Sequence, residues 1–190
     1  DLAVMRSVPN LQVFSPADAT ESYAAMAYIL DSDGPVYCRF GRFAVPVIFD
    51  PAAYSFRPGK GMVLADGTDV TLIATGIMVS AALEARELLK ADGIDAAVLN
   101  IHTIKPLDAD LVTAYAAKTG AVVTAEEHSI IGGLGGAVAE CLAERAPTRM
   151  ARVGMRDCFG KSASADVLLN YFGLNAEGIA EQARRLLAAH

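Results

Sequence analysis

From Asp66 onward the chain alternates short apolar runs with alanine-rich amphipathic segments at a spacing of about 25 residues, and this alternation restricts the fold more than any other feature. Val70 to Ala74 is a β-branched run without polar interruption, as expected of a strand buried on both faces. Gly76 turns it into a helix over about Val79–Ala91, with Leu83, Leu88 and Leu89 on one face. Asp92-Gly93 leads into a strand over Ile94–Asn100. Lys105-Pro106-Leu107-Asp108 starts the next helix, with Asp108 capping Ala109–Lys118, Gly120 closing it, and Ala121–Ala125 following as a strand. A helix over Ala137–Glu144, a last strand over Thr148–Val153, and closing helices over Ala163–Phe172 and Ala176–Ala189 complete the pattern. Repeated βαβ units give a largely parallel sheet, so this part is expected to be a doubly wound α/β domain.

The front of the chain differs. Leu11–Phe14 reads as a strand, Ser15-Pro16-Ala17-Asp18 leads into a helix over Ala19–Leu30, and Val36–Phe40 is a second strand. Glu21 sits in the first helical turn, where the positive end of the dipole favours a carboxylate. Val45 to Lys60 holds Pro46, Pro51 and Pro58 without periodicity and reads as a crossing between domains. One strand, one helix and one strand cannot cover both faces of a parallel sheet. Residues 1–57 are therefore expected to be a partial α/β domain whose beginning is absent, residues 58–66 a linker, and residues 67–190 the second domain. An apolar surface is expected where the rest of the first domain would pack.

Composition excludes several function classes. With 53% apolar and 20% charged residues over 190 positions, the chain is globular and long enough for one sizeable core or two small ones. A net charge of −6 argues against nucleic acid and anionic membranes as partners, because both need clustered Lys and Arg. Cys38, Cys141 and Cys158 are scattered and odd in number, which fits neither a disulfide framework nor a metal quartet and points to a reducing cytoplasm. No apolar run approaches the ~20 residues of a membrane span.

The first candidate for a site is Glu126-Glu127-His128 followed by Gly132-Gly133-Leu134-Gly135-Gly136, since ligands of open α/β sheets bind beyond the carboxyl ends of strands. A glycine-rich turn before a helix can cradle phosphate. A dinucleotide fingerprint from Gly133 would need a third glycine where Val138 stands, and the two glutamates would repel phosphate. Tight turning and close helix-to-sheet packing explain the glycines more simply. Glu126, Glu127 and His128 could form an acid/base group or half a metal site. His102 belongs to another strand end and His190 is terminal, so no further ligand lies at metal spacing. Ser80, Ser129 and Ser162 lack a nucleophile-elbow context, Cys158 lacks an adjacent base, and Arg184-Arg185 read as a solvated face.

Motif order carries a family resemblance. Asp1 to Asn10 with Ser15-Pro16-Ala17-Asp18-Ala19-Thr20-Glu21 resembles the second half of the pyrimidine-binding domain of transketolases. Ile104-Lys105-Pro106-Leu107-Asp108, Glu126-Glu127-His128, Gly132 to Gly136, Arg156-Asp157-Cys158-Phe159-Gly160-Lys161-Ser162 and Tyr171-Phe172-Gly173-Leu174 are similar to the transketolase C-terminal domain, in that order. The 1-deoxyxylulose-5-phosphate synthases and the β subunits of 2-oxo-acid dehydrogenases share this architecture, and a non-catalytic assembly domain is a further alternative.

The resemblance implies a C-terminal fragment or small-subunit portion of a thiamine-diphosphate-dependent transferase that moves a two-carbon ketol unit between sugar phosphates, as in the pentose phosphate pathway. Thiamine diphosphate and magnesium belong to the complete enzyme, and neither is expected on this chain alone, because the activating glutamate and the substrate-facing His and Asp of the family would precede Asp1. Alone, the chain is expected to be inactive; its partners are a second copy in a homodimer or a missing N-terminal section or subunit. The resemblance places a phosphate-holding arginine at Arg39, within Tyr37-Cys38-Arg39-Phe40-Gly41-Arg42, with Arg42 as the second choice. It assigns no catalytic or metal-binding residue here, and makes Glu126, Glu127 and His128 a polar cluster at a domain boundary or dimer contact.

Overall fold

A computed structural model of the chain describes residues 1–189; His190 lies outside them. The principal sheet has five strands in the order β3-β5-β4-β7-β8, where β3 is Met62–Ala65, β4 Val70–Ala74, β5 Ala96–Asn100, β7 Ala121–Ser129 and β8 Arg149–Met155. Every pairing is parallel except that of the edge strand β3 with β5. On β4 the side chains of Val70, Leu72 and Ala74 face α3 (Met78–Ala91) and α7 (Ala176–Ala188), in one apolar cluster with Leu89, Ile179 and Ala183. Ile73 faces the other way, into a second cluster with residues of α4 (Ala109–Thr119) and α5 (Leu134–Arg145). Both faces are covered, as the uninterrupted apolar strands require. Burying one leucine such as Leu89 in these layers stabilises the fold by about 1.5–3 kcal/mol.

The expected cap of α4 forms, and α7 has one that the sequence reading did not foresee. The Asp108 carboxylate accepts from Leu111 N at 3.3 Å at the start of α4, and Asn175 accepts from Gly178 N at 2.9 Å at the start of α7. The closing helix α6 is Ala165–Tyr171 and has no buried residue.

The first segment is built into the second. Helix α1 (Leu2–Ser7), unforeseen from sequence, precedes β1 (Gln12–Phe14), α2 (Ala19–Asp31) and β2 (Val36–Cys38). β1 pairs in parallel with β2 and antiparallel with β6 (Thr103–Lys105), a strand also missed by periodicity, which comes from the segment directly after β5. Leu2, Val13 and Ile104 share the cluster of Ile73, Leu99 and Val122, so the two segments have a common core. α2 turns an apolar face outward, with Tyr23 80% and Leu30 81% exposed.

The seam lies where the sheet order reverses, at the carboxyl ends of β4 and β7. There Gly76 has φ +56°, its N–H donates to Ser15 O at 3.1 Å, and a Cβ would stand 2.8 Å from Ser15 Oγ. Thr75 Oγ1 also donates to Ser15 O, at 3.2 Å. The chain after β1 thus fills part of the crevice and leads β2 out beside it.

Candidate functional site

β7 is longer than the sequence pattern suggests. Glu126, Glu127 and His128 belong to the strand rather than to a loop beyond it. The register with β8 shifts between Ala125, opposite Val153, and Ser129, opposite Met155, so four steps on β7 are matched by two on β8. Such a bulge re-aims side chains. A Cβ on Gly154 would lie 2.8 Å from His128 O and 3.4 Å from Glu126 Cγ, so the bulge needs a glycine across from it.

The bulge sends the three residues to different places. Glu126 is 0% exposed and turns onto the start of α5, where its carboxylate accepts from Leu134 N at 2.7 Å and Gly135 N at 2.8 Å. Burial holds its carboxyl above the usual carboxylate range, against the pull of these amides and of Arg152 and Arg6. The turn that could have cradled a phosphate is therefore filled by the chain's own anion. A Cβ on Gly133 would lie 1.9 Å from Glu126 Oε2, and Gly132, at φ +77°, would meet Ala3 of α1 at 2.7 Å. Arg6 closes the turn from outside, donating to Gly132 O at 2.6 Å and pairing with Glu140 at 2.6 Å. Arg6 was not singled out in the sequence, although it lies within the first motif of the resemblance.

His128 donates from Nδ1 to Ser129 O at 2.8 Å, and burial lowers its pKa, which favours the neutral ring. Its Nδ1 is 3.7 Å from Glu126 Oε2. Glu127 points across the seam to Arg39, with Oε2 3.1 Å from Nη1.

Arg39 follows β2, and its backbone N–H donates to Phe14 O at 2.9 Å. Besides Glu127 it pairs through Nε with Asp1 Oδ2 at 3.1 Å, and Tyr37 Oη donates to that same oxygen at 2.7 Å. Arg42 is exposed, its guanidinium carbon 6.0 Å from the Phe43 ring centroid. Both arginines line a cleft of about 460 Å³ with Asp1, Tyr37, Phe43, Ile77 and Glu127. Cys38 lies in the same cleft, and burial pushes its thiol up to about 12, so it stays protonated and poorly nucleophilic. The structure thus brings Arg39, Arg42 and Glu127 together and leaves Glu126 and His128 behind them. An adjoining apolar cavity of about 220 Å³, lined by Leu168, Leu169 and Phe172 among others, meets the cleft at Phe43, Ile77 and Glu127.

Sequence reasoning missed a second polar group at the seam. Glu21 at the start of α2 is fully buried; its carboxylate accepts from Ala17 N at 2.7 Å, from Asn100 Nδ2 at 2.8 Å, and from Tyr54 Oη. Burial pushes its carboxyl up to about 7, with the Asp18 charge adding to the rise. Asn100 Oδ1 is buried without a hydrogen-bond partner among the described residues. The signal was its place in the first motif of the resemblance, whereas its partners come from distant segments.

Among the described residues no three His, Cys, Asp or Glu side chains gather closely enough to hold a metal ion, and no helix is long and apolar enough to cross a membrane. The residues present do not by themselves fit thiamine diphosphate. Its diphosphate needs an open cradle of amides or cations, and the glycine-rich turn already encloses Glu126.

A family model described as transketolase, C-terminal domain, matches residues 59–179. The 6-deoxy-6-sulfo-D-fructose transketolase subunit SqwH of Clostridium sp. (strain MSTE9) is 48% identical over 186 residues, 98% of this chain and 58% of that protein. A solved structure described as split gene transketolase, inactive beta4 tetramer, superposes with a TM-score of 0.95 at 48% identity, over 98% of this chain and 61% of that one. The 1-deoxy-D-xylulose-5-phosphate synthase of Heliobacterium modesticaldum (strain ATCC 51547 / Ice1) is 38% identical over 191 residues, 100% of this chain and 30% of that enzyme. The chain therefore spans little more than half of the transketolase subunit that it matches. It belongs to the transketolase family, with residues 59–179 forming the family's C-terminal domain.

Proposed function

We propose that the chain is a section of a thiamine-diphosphate-dependent transketolase, and that Arg39 and Arg42 hold the phosphate of a sugar-phosphate substrate. The observation that carries this reading is the cleft itself: two guanidinium groups line one opening at the point where the strand order reverses. A guanidinium offers five donors in a planar fork. On Arg39 the carboxylates of Asp1 and Glu127 engage Nε and Nη1, while Nη2 remains for a phosphate oxygen. Arg42, exposed on the same wall, supplies the charge that the two carboxylates offset.

Thiamine diphosphate and magnesium are held by the section of the complete enzyme that this chain lacks, while a second copy of the chain completes the assembly as a dimer. When bound, the cofactor supplies the carbanion chemistry of two-carbon transfer. What these residues contribute is orientation of the sugar phosphate at its charged end. The apolar outer face of α2 suits coverage by such a partner, and three free cysteines suit a reducing cytoplasm.

The test assays the chain together with the cofactor-holding section, with thiamine diphosphate and magnesium, using a ketose 5-phosphate donor and an aldose phosphate acceptor. Two-carbon transfer is expected, and Arg39→Ala should raise KM for the phosphorylated donor by about tenfold or more, the loss of one charge-assisted contact. Transfer by the isolated chain would contradict the reading. The Arg39-x-x-Arg42 spacing also suits a deoxyxylulose-phosphate synthase, and use of pyruvate as donor in the same assay would favour that second reading.

A further inference from the structure

We infer that Glu127 is a positioning residue for Arg39, so that the C-terminal domain sets the orientation of the guanidinium that receives the substrate phosphate. The inference rests on the phosphate reading of Arg39 given above. Two observations lead to it. Glu127 reaches the cleft only because β7 bulges between Ala125 and Ser129, and that bulge requires the close approach permitted by Gly154. An ordinary strand continuation has no need of this distortion.

The two carboxylates also engage the guanidinium at two different nitrogens. Asp1 takes Nε at 3.1 Å and Glu127 takes Nη1 at 3.1 Å, which fixes the plane of the guanidinium from two directions. Asp1 is itself held, since Tyr37 Oη donates to it at 2.7 Å and its other oxygen accepts from Leu2 N at 2.9 Å. An arginine without such partners would distribute its long side chain over many rotamers and lose that freedom on each binding event.

The sign of the effect separates this role from simple repulsion. As a bare charge beside the cleft, Glu127 repels a phosphate, so its removal should strengthen binding. As a positioning group, its removal should weaken binding because Arg39 loses its fixed orientation. The two roles therefore shift KM in opposite directions, and the direction can be measured.

The experiment uses the assembled enzyme and compares a ketose 5-phosphate donor with the same ketose lacking phosphate. Glu127→Ala should raise KM for the phosphorylated donor by about tenfold with kcat changed less than about twofold, because the lost orientation concerns the bound phosphate. Glu127→Gln keeps an acceptor for Nη1 and should restore most of the affinity. KM for the unphosphorylated ketose should not move, and adding Glu127→Ala to Arg39→Ala should change nothing further. A fall in KM on Glu127→Ala makes Glu127 a simple opposing charge and overturns the inference. Equal losses with both donors, or an effect that persists in the Arg39→Ala background, overturn it as well. A raised KM in Arg39→Ala beside an unaffected Glu127→Ala defeats the inference alone, whereas an unchanged KM in Arg39→Ala defeats the phosphate reading and this inference with it.

Discussion

Glu126 does for the turn at Gly132–Gly136 what a bound anion does at other glycine-rich helix starts: it accepts from Leu134 N and Gly135 N and meets the positive end of the α5 dipole. Truncating it would leave two buried amides without acceptors, and each such group costs about 1–3 kcal/mol. Glu126→Ala is therefore expected to lower unfolding free energy by about 2–4 kcal/mol, read by urea denaturation at pH 7. A change below about 0.5 kcal/mol would mean that water replaces the carboxylate and that the cap is dispensable. The sequence pointed to repulsion between these glutamates and a phosphate. It could not show that one of the glutamates is the anion, because a two-residue excess in the register of β7 decides which of them turns inward.

Element by element, legibility followed length and burial. Val70–Ala74 was readable because a β-branched run buried on both faces leaves no other period, and α4 because Asp108 and Gly120 mark its ends. Thr103–Lys105 was not, since three residues carry no period and only their pairing with β1 makes them a strand. The six-residue α1 likewise draws its stability from packing Leu2 into the shared core and from Arg6 on the glycine turn. α6 was readable as a helix, yet nothing in its sequence showed how lightly it would be held. It buries no residue, follows a wholly exposed stretch from Arg156 to Ser164, and leaves Phe159 97% exposed. Few buried contacts mean a low free energy of local opening. Native-state hydrogen exchange should show the amides of α6 exchanging at least about tenfold faster than those of α7, whose Ile179, Ala180 and Ala183 are buried. Equal protection would show that α6 opens only with the whole molecule.

At the scale of the molecule, two buried titratable groups at the seam should give stability opposite dependences on pH. Glu21 joins α2 to Tyr54 in the connecting stretch and to Asn100 at the end of β5, partners 33 and 79 residues away, which is why its burial was illegible from its place in the first helical turn and in the first motif of the resemblance. Its carboxyl is raised from 4.5 to about 7, so the folded state holds a proton that the unfolded chain has released between those values. Its contribution is full below pH 4.5 and is lost as pH rises toward 7, by up to about 3 kcal/mol. His102, buried against Phe56 with ring centroids 4.5 Å apart, is lowered by burial from 6.5 to about 4. Here the unfolded chain binds the extra proton, so stability rises with pH from about 4 to 6.5 and offsets much of the Glu21 loss. The native chain should accordingly show a shallow profile in that interval. Glu21→Gln should uncover the His102 slope, and its stability relative to the native chain should improve by about 2–3 kcal/mol between pH 5 and pH 8, measured by urea unfolding at each pH. The difference between the two proteins cancels every other titrating group and any fixed penalty of the amide. A difference that stays constant across that range would place the Glu21 proton outside the folding equilibrium and remove the seam as the source of the profile.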